Sequence, residues 1–185
     1  MTYITRWTTD VVETLPIIEG ERYELIDGEL VVTRQPHASH QRICNLLIIQ
    51  LYLWDPDERF GYSYQAPGLI FAAADAVAPD LIWASHERLE IILDEDGKFY
   101  AAPELVIEIV SPGSVNAGRD RELKLALYER YAVPEYWIVD GQSHSIEVYE
   151  LQIDRLVLTQ TLRNNDMLVS KVLPGFACPM SRIFR

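Results

Sequence analysis

The chain is poor in cysteine and in positive charge, and it carries no long apolar run. Its two cysteines, Cys44 and Cys178, form no CxxC pair and no zinc-type spacing. A reducing, cytoplasmic setting with two free thiols is therefore expected. No apolar stretch approaches the roughly 18 residues that a membrane-spanning helix needs. Met1 is followed by Thr2, Tyr3, Ile4 and Thr5, which is no signal-peptide opening, so no membrane role is expected. Basic residues number 16 against 28 acidic ones, a formal net charge of −12. Phosphate backbones attract basic surfaces, so this field excludes tight, non-specific nucleic-acid binding unless a local basic patch or bridging metal ions reverse it. The bland meaning of such acidity is solubility. Repeats, low-complexity segments and an interdomain linker are also missing.

What is present is an ordinary globular composition, with 49% apolar and 24% charged residues in 185 positions. One domain with a substantial core fits that length. Thr8 or Thr9 can cap a short helix that Pro16 ends. In YELIDGELVV, residues 23 to 32, Asp27-Gly28 between two apolar runs predicts a hairpin of antiparallel strands. SHQRICNLLIIQLYLW, 39 to 54, has a Ser39 cap candidate and apolar residues at helical spacing, stopped by Asp55-Pro56. Residues 61 to 72 read as a strand pair or a broken strand, 79 to 84 as a short strand and 104 to 110 as a buried one. From Ser85 to Tyr100 the chain reads as a polar connection with a possible helical turn. A helix at 120–131 ends at Val133-Pro134, and strands follow at 135–140, 145–151 and 156–160. The pattern is a strand-rich α/β (α+β) domain, a sheet flanked by helices.

Three residues are charged where this pattern wants apolar ones. Glu108 lies in the middle of ELVIEIV, where an unpaired carboxylate costs several kcal/mol. Asp80 opens a strand directly after Pro79. Two acids at neighbouring strand ends can hold a hard divalent cation through oxygen and leave positions for water and a phosphate. Lys124 is the third. At about 100° per residue it falls between Tyr131 and Tyr128 inside the apolar arc of its helix, while Glu122 and Glu129 lie opposite as solvated charges. Arg130 also lands in the arc, and an inward lysine can equally neutralise a structural acid. Pattern alone leaves catalysis and a structural ion pair on equal terms.

These residues resemble the PD-(D/E)XK nuclease superfamily: PD at 79–80, E-x-V at 108–110 in place of E-x-K, then a lysine on the following helix. More closely, YELIDGELVV, the SHQ helix opening, APDLIWAS, PELVIEIVSPGS, RELKLALYERYAVPEYWIVD and the LPGFACPMSRIF tail are similar to the Uma-type family of putative restriction endonucleases, from about Tyr23 to Phe184. The resemblance implies a restriction-endonuclease-like core, a mixed central sheet flanked by helices, with an N-terminal hairpin. It implies Mg²⁺, with Mn²⁺ as a substitute, on Asp80 and Glu108, and Lys124 taking over from the position that Val110 occupies. Glu24, His40 and Gln41 match family positions that could line the site. The implied activity is phosphodiester hydrolysis in DNA, with Lys124 orienting or helping to deprotonate the attacking water, and the implied assembly is a homodimer.

Alternatives stay open beside this one. A catalytically silent nuclease-fold module binding nucleic acid or protein accommodates the acidic charge, and the Asp80–Glu108–Lys124 cluster could serve a purely structural role in a homo-oligomer. His37 and His40 stand three apart without an HExxH pattern, which favours structural use. Arg119, Arg121 and Lys124 are interleaved with Asp120 and Glu122, as in a solvated helix start, and Arg34, His37 and Arg42 form a second basic group. Tyr62 and Tyr64 could stack on bases but read first as packing. SPGSVNAGRD, 111 to 120, lacks the GK[ST] ending of a P-loop and is expected to serve as a mobile flap.

Overall fold

The computed structural model describes residues 6–16, 18–34, 36–110 and 117–185. A short helix α1 (Thr9–Val12) leads into strands β1 (Glu21–Ile26) and β2 (Glu29–Arg34). Asp27 and Gly28 both have positive φ, 51° and 73°, the left-handed pair that a two-residue hairpin turn of this hand demands. Helix α2 (Ala38–Trp54) follows, then β3 (Gly61–Gln65), β4 (Leu69–Ala72), β5 (Asp75–Val77), β6 (Leu81–Ser85) and helix α3 (His86–Ile92). The second half alternates β7 (Leu105–Val110), helix α4 (Ala117–Arg130), β8 (Glu135–Asp140), β9 (Ser145–Gln152) and β10 (Arg155–Arg163), and closes with the short strands β11 (Met167–Val169) and β12 (Ala177–Pro179).

Six strands form the central sheet in the order β10-β9-β8-β7-β6-β3. β7 and β8 run parallel, and every other neighbouring pair in this sheet is antiparallel. A parallel pair needs a crossover, and α4 supplies it. The hairpin forms as expected, and β1 also pairs with β5, giving a second sheet ordered β2-β1-β5-β4. β5 escaped the sequence reading because three residues carry too little periodicity to register.

Alternation along β7 divides the core. Leu105, Ile107 and Ile109 face α2 and the C-terminal segment, where Leu168, Phe176 and Met180 pack. Val106 and Val110 face α3 and α4, together with Tyr128 and Tyr136. Glu108 shares the parity of Val106 and Val110, so it points toward α4.

Other boundaries shift for local reasons. The cap of α2 is His37, whose side chain accepts from the Ser39 backbone N–H at 3.2 Å, rather than Ser39 itself. The segment after β6 is a helix whose cap, Ser85, accepts from Arg88 N–H and donates to Glu104 Oε1 at 2.6 Å. It is anchored by Leu89, Ile92 and Phe99, so it is no mere polar connection. Glu129 is not simply solvated: it pairs with Arg155 and accepts the Leu156 N–H. Both cysteines are buried free thiols. Among the described residues no helix is long and apolar enough to cross a membrane. The flap expected in 111–120 falls largely outside the described residues.

Candidate active site

β6 and β7 pair antiparallel with Leu81 opposite Ile107, so Asp80, one residue before β6, arrives beside Glu108. Asp80 Oδ2 accepts the Ile109 backbone N–H at 2.8 Å, which ties its carboxylate to the next residue of β7. The same oxygen meets His40 Nε2 at 3.0 Å. His40 comes from the first turn of α2 and is buried, with its Nδ1 lacking a partner among the described residues. An acceptor at Nε2 assigns the ring proton to that nitrogen and leaves Nδ1 as a lone pair.

On the other side of the pair, α4 projects Lys124 and Tyr128 from one helical face, four residues apart. Lys124 Nζ lies 2.8 Å from Glu108 Oε1 and 3.2 Å from Glu24 Oε1. Tyr128 donates its hydroxyl to the same Glu108 Oε1 at 2.6 Å. Glu24, on β1, also accepts the Ala78 N–H at 2.9 Å, while Arg22, two residues earlier on that strand, donates to the Ala78 carbonyl at 2.9 Å. β1 thus grips both backbone groups of Ala78 and fixes the entry of Pro79 and Asp80. The inward lysine is met by acids from β7 and β1, as its placement called for.

Three carboxylates face one ammonium. Burial pushes the Glu108 carboxyl up to about 7; Lys124 works against that rise, and Asp80 and Glu24 add to it. Burial alone disfavours the charged lysine, but Glu108 and Glu24 outweigh it and hold Lys124 well above its ordinary value, an ammonium at any working pH. Asp80 and Glu108 side chains each keep 13% of their exposure and Lys124 16%, so the cluster borders solvent.

The donor set fits a hard divalent cation. Among the described residues, the hydrogen bonds use Asp80 Oδ2 and Glu108 Oε1, leaving Oδ1 and Oε2 without one. A cation between them would offset both the burial of the Glu108 carboxylate, the main cause of its raised pKa, and the added repulsion from Asp80 and Glu24. No three His, Cys, Asp or Glu side chains among the described residues converge into a protein-only cage. Mg²⁺ does not require one, since it keeps several waters and binds through one or two carboxylates plus substrate phosphate.

The structure therefore brings together Asp80, Glu108, Lys124, Glu24 and His40. Gln41 is exposed on α2, and its backbone N–H bonds the His37 carbonyl. His37 is spent on the helix cap. Val110, at the position where E-x-K would put a lysine, packs in the core with α4. Of the basic groups, Arg121 pairs with Glu147 and Arg42 donates to the Arg185 carbonyl. Tyr62 and Tyr64 meet edge-on, with Tyr64 also against Phe99 and Tyr62 against His86, a packing arrangement. Tyr128 was missed. Its spacing from Lys124 was the available signal, but a tyrosine inside an apolar arc reads as core. Arg130, the other cation in the apolar arc, pairs with Asp75 of the hairpin sheet.

A mixed sheet with a single parallel step, crossed by α4 and covered by α2, is a restriction-endonuclease-like α+β architecture. A crystal structure of a putative nuclease belonging to DUF820 from Anabaena variabilis ATCC 29413 matches it with a TM-score of 0.77 at 19% sequence identity, covering 96% of this chain and 97% of that one. At that identity the likeness speaks to the fold. The family model Uma2, described as "Putative restriction endonuclease", matches residues 10–181, and the chain belongs to this family. No curated protein matches the chain.

Proposed function

We propose that the protein is a divalent-metal-dependent endonuclease of the PD-(D/E)XK type that hydrolyses phosphodiester bonds in DNA, with Asp80 and Glu108 holding Mg²⁺ or Mn²⁺. One observation carries the reading. Two carboxylates stand side by side at the border with solvent, each with one oxygen outside the described hydrogen bonds, and an ammonium lies 2.8 Å from one of them. When bound, the ion polarises the phosphate, makes water a stronger nucleophile at neutral pH and offsets charge on the departing oxygen.

The chain's own residues do the rest. His40 and the Ile109 N–H hold Asp80, and Lys124 and Tyr128 hold Glu108. Glu24 shares Lys124 and so keeps its ammonium at the edge of the cluster. Because its neighbours keep it charged, Lys124 serves as a donor that orients the attacking water or offsets charge on the pentavalent phosphorus, not as a proton acceptor. Homodimer assembly rests on the resemblance to PD-(D/E)XK enzymes, and a cytoplasmic setting is supported by the two free thiols.

A silent module that binds nucleic acid or protein has one observation in its favour. Among the described residues, two of the basic side chains that could face phosphate are spent on the chain itself, Arg121 on Glu147 and Arg42 on the Arg185 carbonyl. Cleavage of plasmid and single-stranded DNA with Mg²⁺ or Mn²⁺ separates the two. Wild type should cut, and Asp80→Ala and Lys124→Ala should not. Equal residual activity in all three would point to a contaminant and leave the silent module standing.

A further inference from the structure

Glu108 has a second holder that the PD-(D/E)XK pattern does not contain. Tyr128 is completely buried, and its hydroxyl donates to Glu108 Oε1 at 2.6 Å. A phenol hydroxyl facing a carboxylate oxygen at that distance is the donor. Lys124 reaches the same oxygen at 2.8 Å but is shared with Glu24 at 3.2 Å. The lysine is therefore divided between two acids. The phenol is wedged against Tyr136, ring centroids 4.9 Å apart, and Phe71, at 6.4 Å, and its hydroxyl is committed to Glu108.

We propose that Tyr128 is a positioning residue for the metal site: by occupying Glu108 Oε1 it fixes the carboxylate's rotation and keeps Oε2 free to ligate the ion. The inference rests on the metal-dependent reading above and deepens it. Asp80 is treated in the same way, since His40 and the Ile109 N–H occupy Oδ2 and leave Oδ1. Each ligand thus has one oxygen tethered and one presented. Partners that orient metal ligands typically carry 10- to 100-fold of metal affinity.

Tyr131, just past the end of α4 and three residues on, provides a matched control. Its hydroxyl donates to Asp75 Oδ2 at 2.7 Å, the same bond type, on an acid that belongs to the hairpin sheet and not to the site. The experiment is Mn²⁺ titration calorimetry on wild type, Tyr128→Phe and Tyr131→Phe, with melting in EDTA and DNA cleavage measured on the same samples. Tyr128→Phe should bind Mn²⁺ about 10- to 100-fold more weakly, while Tyr131→Phe lowers melting and leaves the affinity at the wild-type value. Equal Mn²⁺ affinity in Tyr128→Phe and wild type overturns the assignment, even if melting falls, because a merely structural tyrosine would behave that way. An affinity loss in Tyr128→Phe without cleavage by any of the proteins upholds the positioning role and removes the nuclease reading. A wild type that binds no Mn²⁺ overturns both. If Tyr128→Phe does not fold, His40→Leu, which removes the donor to Asp80 Oδ2, tests the same tethering at Asp80, and an unchanged Mn²⁺ affinity there overturns the account.

Discussion

Replacing Lys124 with methionine removes one ammonium from between two acids and keeps the bulk of the side chain. In the folded protein Nζ lies 2.8 Å from Glu108 Oε1 and 3.2 Å from Glu24 Oε1, with Glu24 almost fully buried and the other two side chains 13–16% exposed. Breaking a buried pair typically costs about 3–5 kcal/mol. The partial exposure and the ability of Glu108 to take up a proton place this case at the low end, about 3 kcal/mol at pH 8. For a domain of this size that is a fall in melting temperature of about 6–12 °C. The pH dependence follows from the sign of the shift. The Glu108 carboxyl is raised in the folded state, so its contribution to stability is fully present below the unfolded value near 4.5 and is lost as pH rises through about 7. Lys124 is what restrains that rise, so in Lys124→Met the loss continues to higher pH. The deficit should be largest at pH 8 and shrink by up to about 1.4 kcal/mol on going to pH 7. Below that, Glu108 is protonated in both proteins and the curves run parallel. Thermal unfolding in EDTA from pH 5 to 9 reads this directly. Cleavage in Mg²⁺ should fall about 100- to 1,000-fold, at a pH high enough to ionise Glu108 in both proteins. A variant that melts within a degree of wild type at pH 8 would refute the buried-pair reasoning, and one that also cuts normally would remove Lys124 from the chemistry.

Mg²⁺ binding should depend on pH through Glu108, because proton and metal compete for one carboxylate whose pKa is about 7 without the ion. Calorimetry should show affinity about tenfold weaker at pH 6 than at pH 8 with nearly one proton released per ion at pH 6; affinity independent of pH would contradict the assignment of Glu108 as a ligand. Gly61→Ala should destabilise the protein by about 3 kcal/mol, because an added Cβ would lie 2.1 Å from the Ala84 carbonyl oxygen and 2.7 Å from Ser85 Cα, backbone atoms of β6 that cannot swing aside. Chemical denaturation measures it, and a change under 1 kcal/mol would show that β3 slides without cost.

The most legible parts of the chain were those where local chemistry and tertiary structure agree. Asp27-Gly28 demanded its turn, and residues 135–140, buried on both faces, became β8 over the same span. The Asp80–Glu108–Lys124 cluster was legible because each member breaks the apolar pattern of its own element, which a long-range partner alone can repair. Less visible were features that depend on contacts between distant segments. Nothing local in residues 75–77 announces a strand; β5 exists because β1 and β4 flank it. His37 caps α2 through a ring nitrogen, in competition with a serine that is the better cap by propensity. Tyr128 was hidden because a hydroxyl at the rim of an apolar arc looks the same whether it meets water or a buried acid.

The direct test of the central claim is the position of a bound ion. A crystal soaked in Mn²⁺ and measured at the manganese absorption edge should show an anomalous peak between the Asp80 and Glu108 carboxylates, lost in Asp80→Ala. No peak there at saturating Mn²⁺, or one that survives the substitution, would contradict the account.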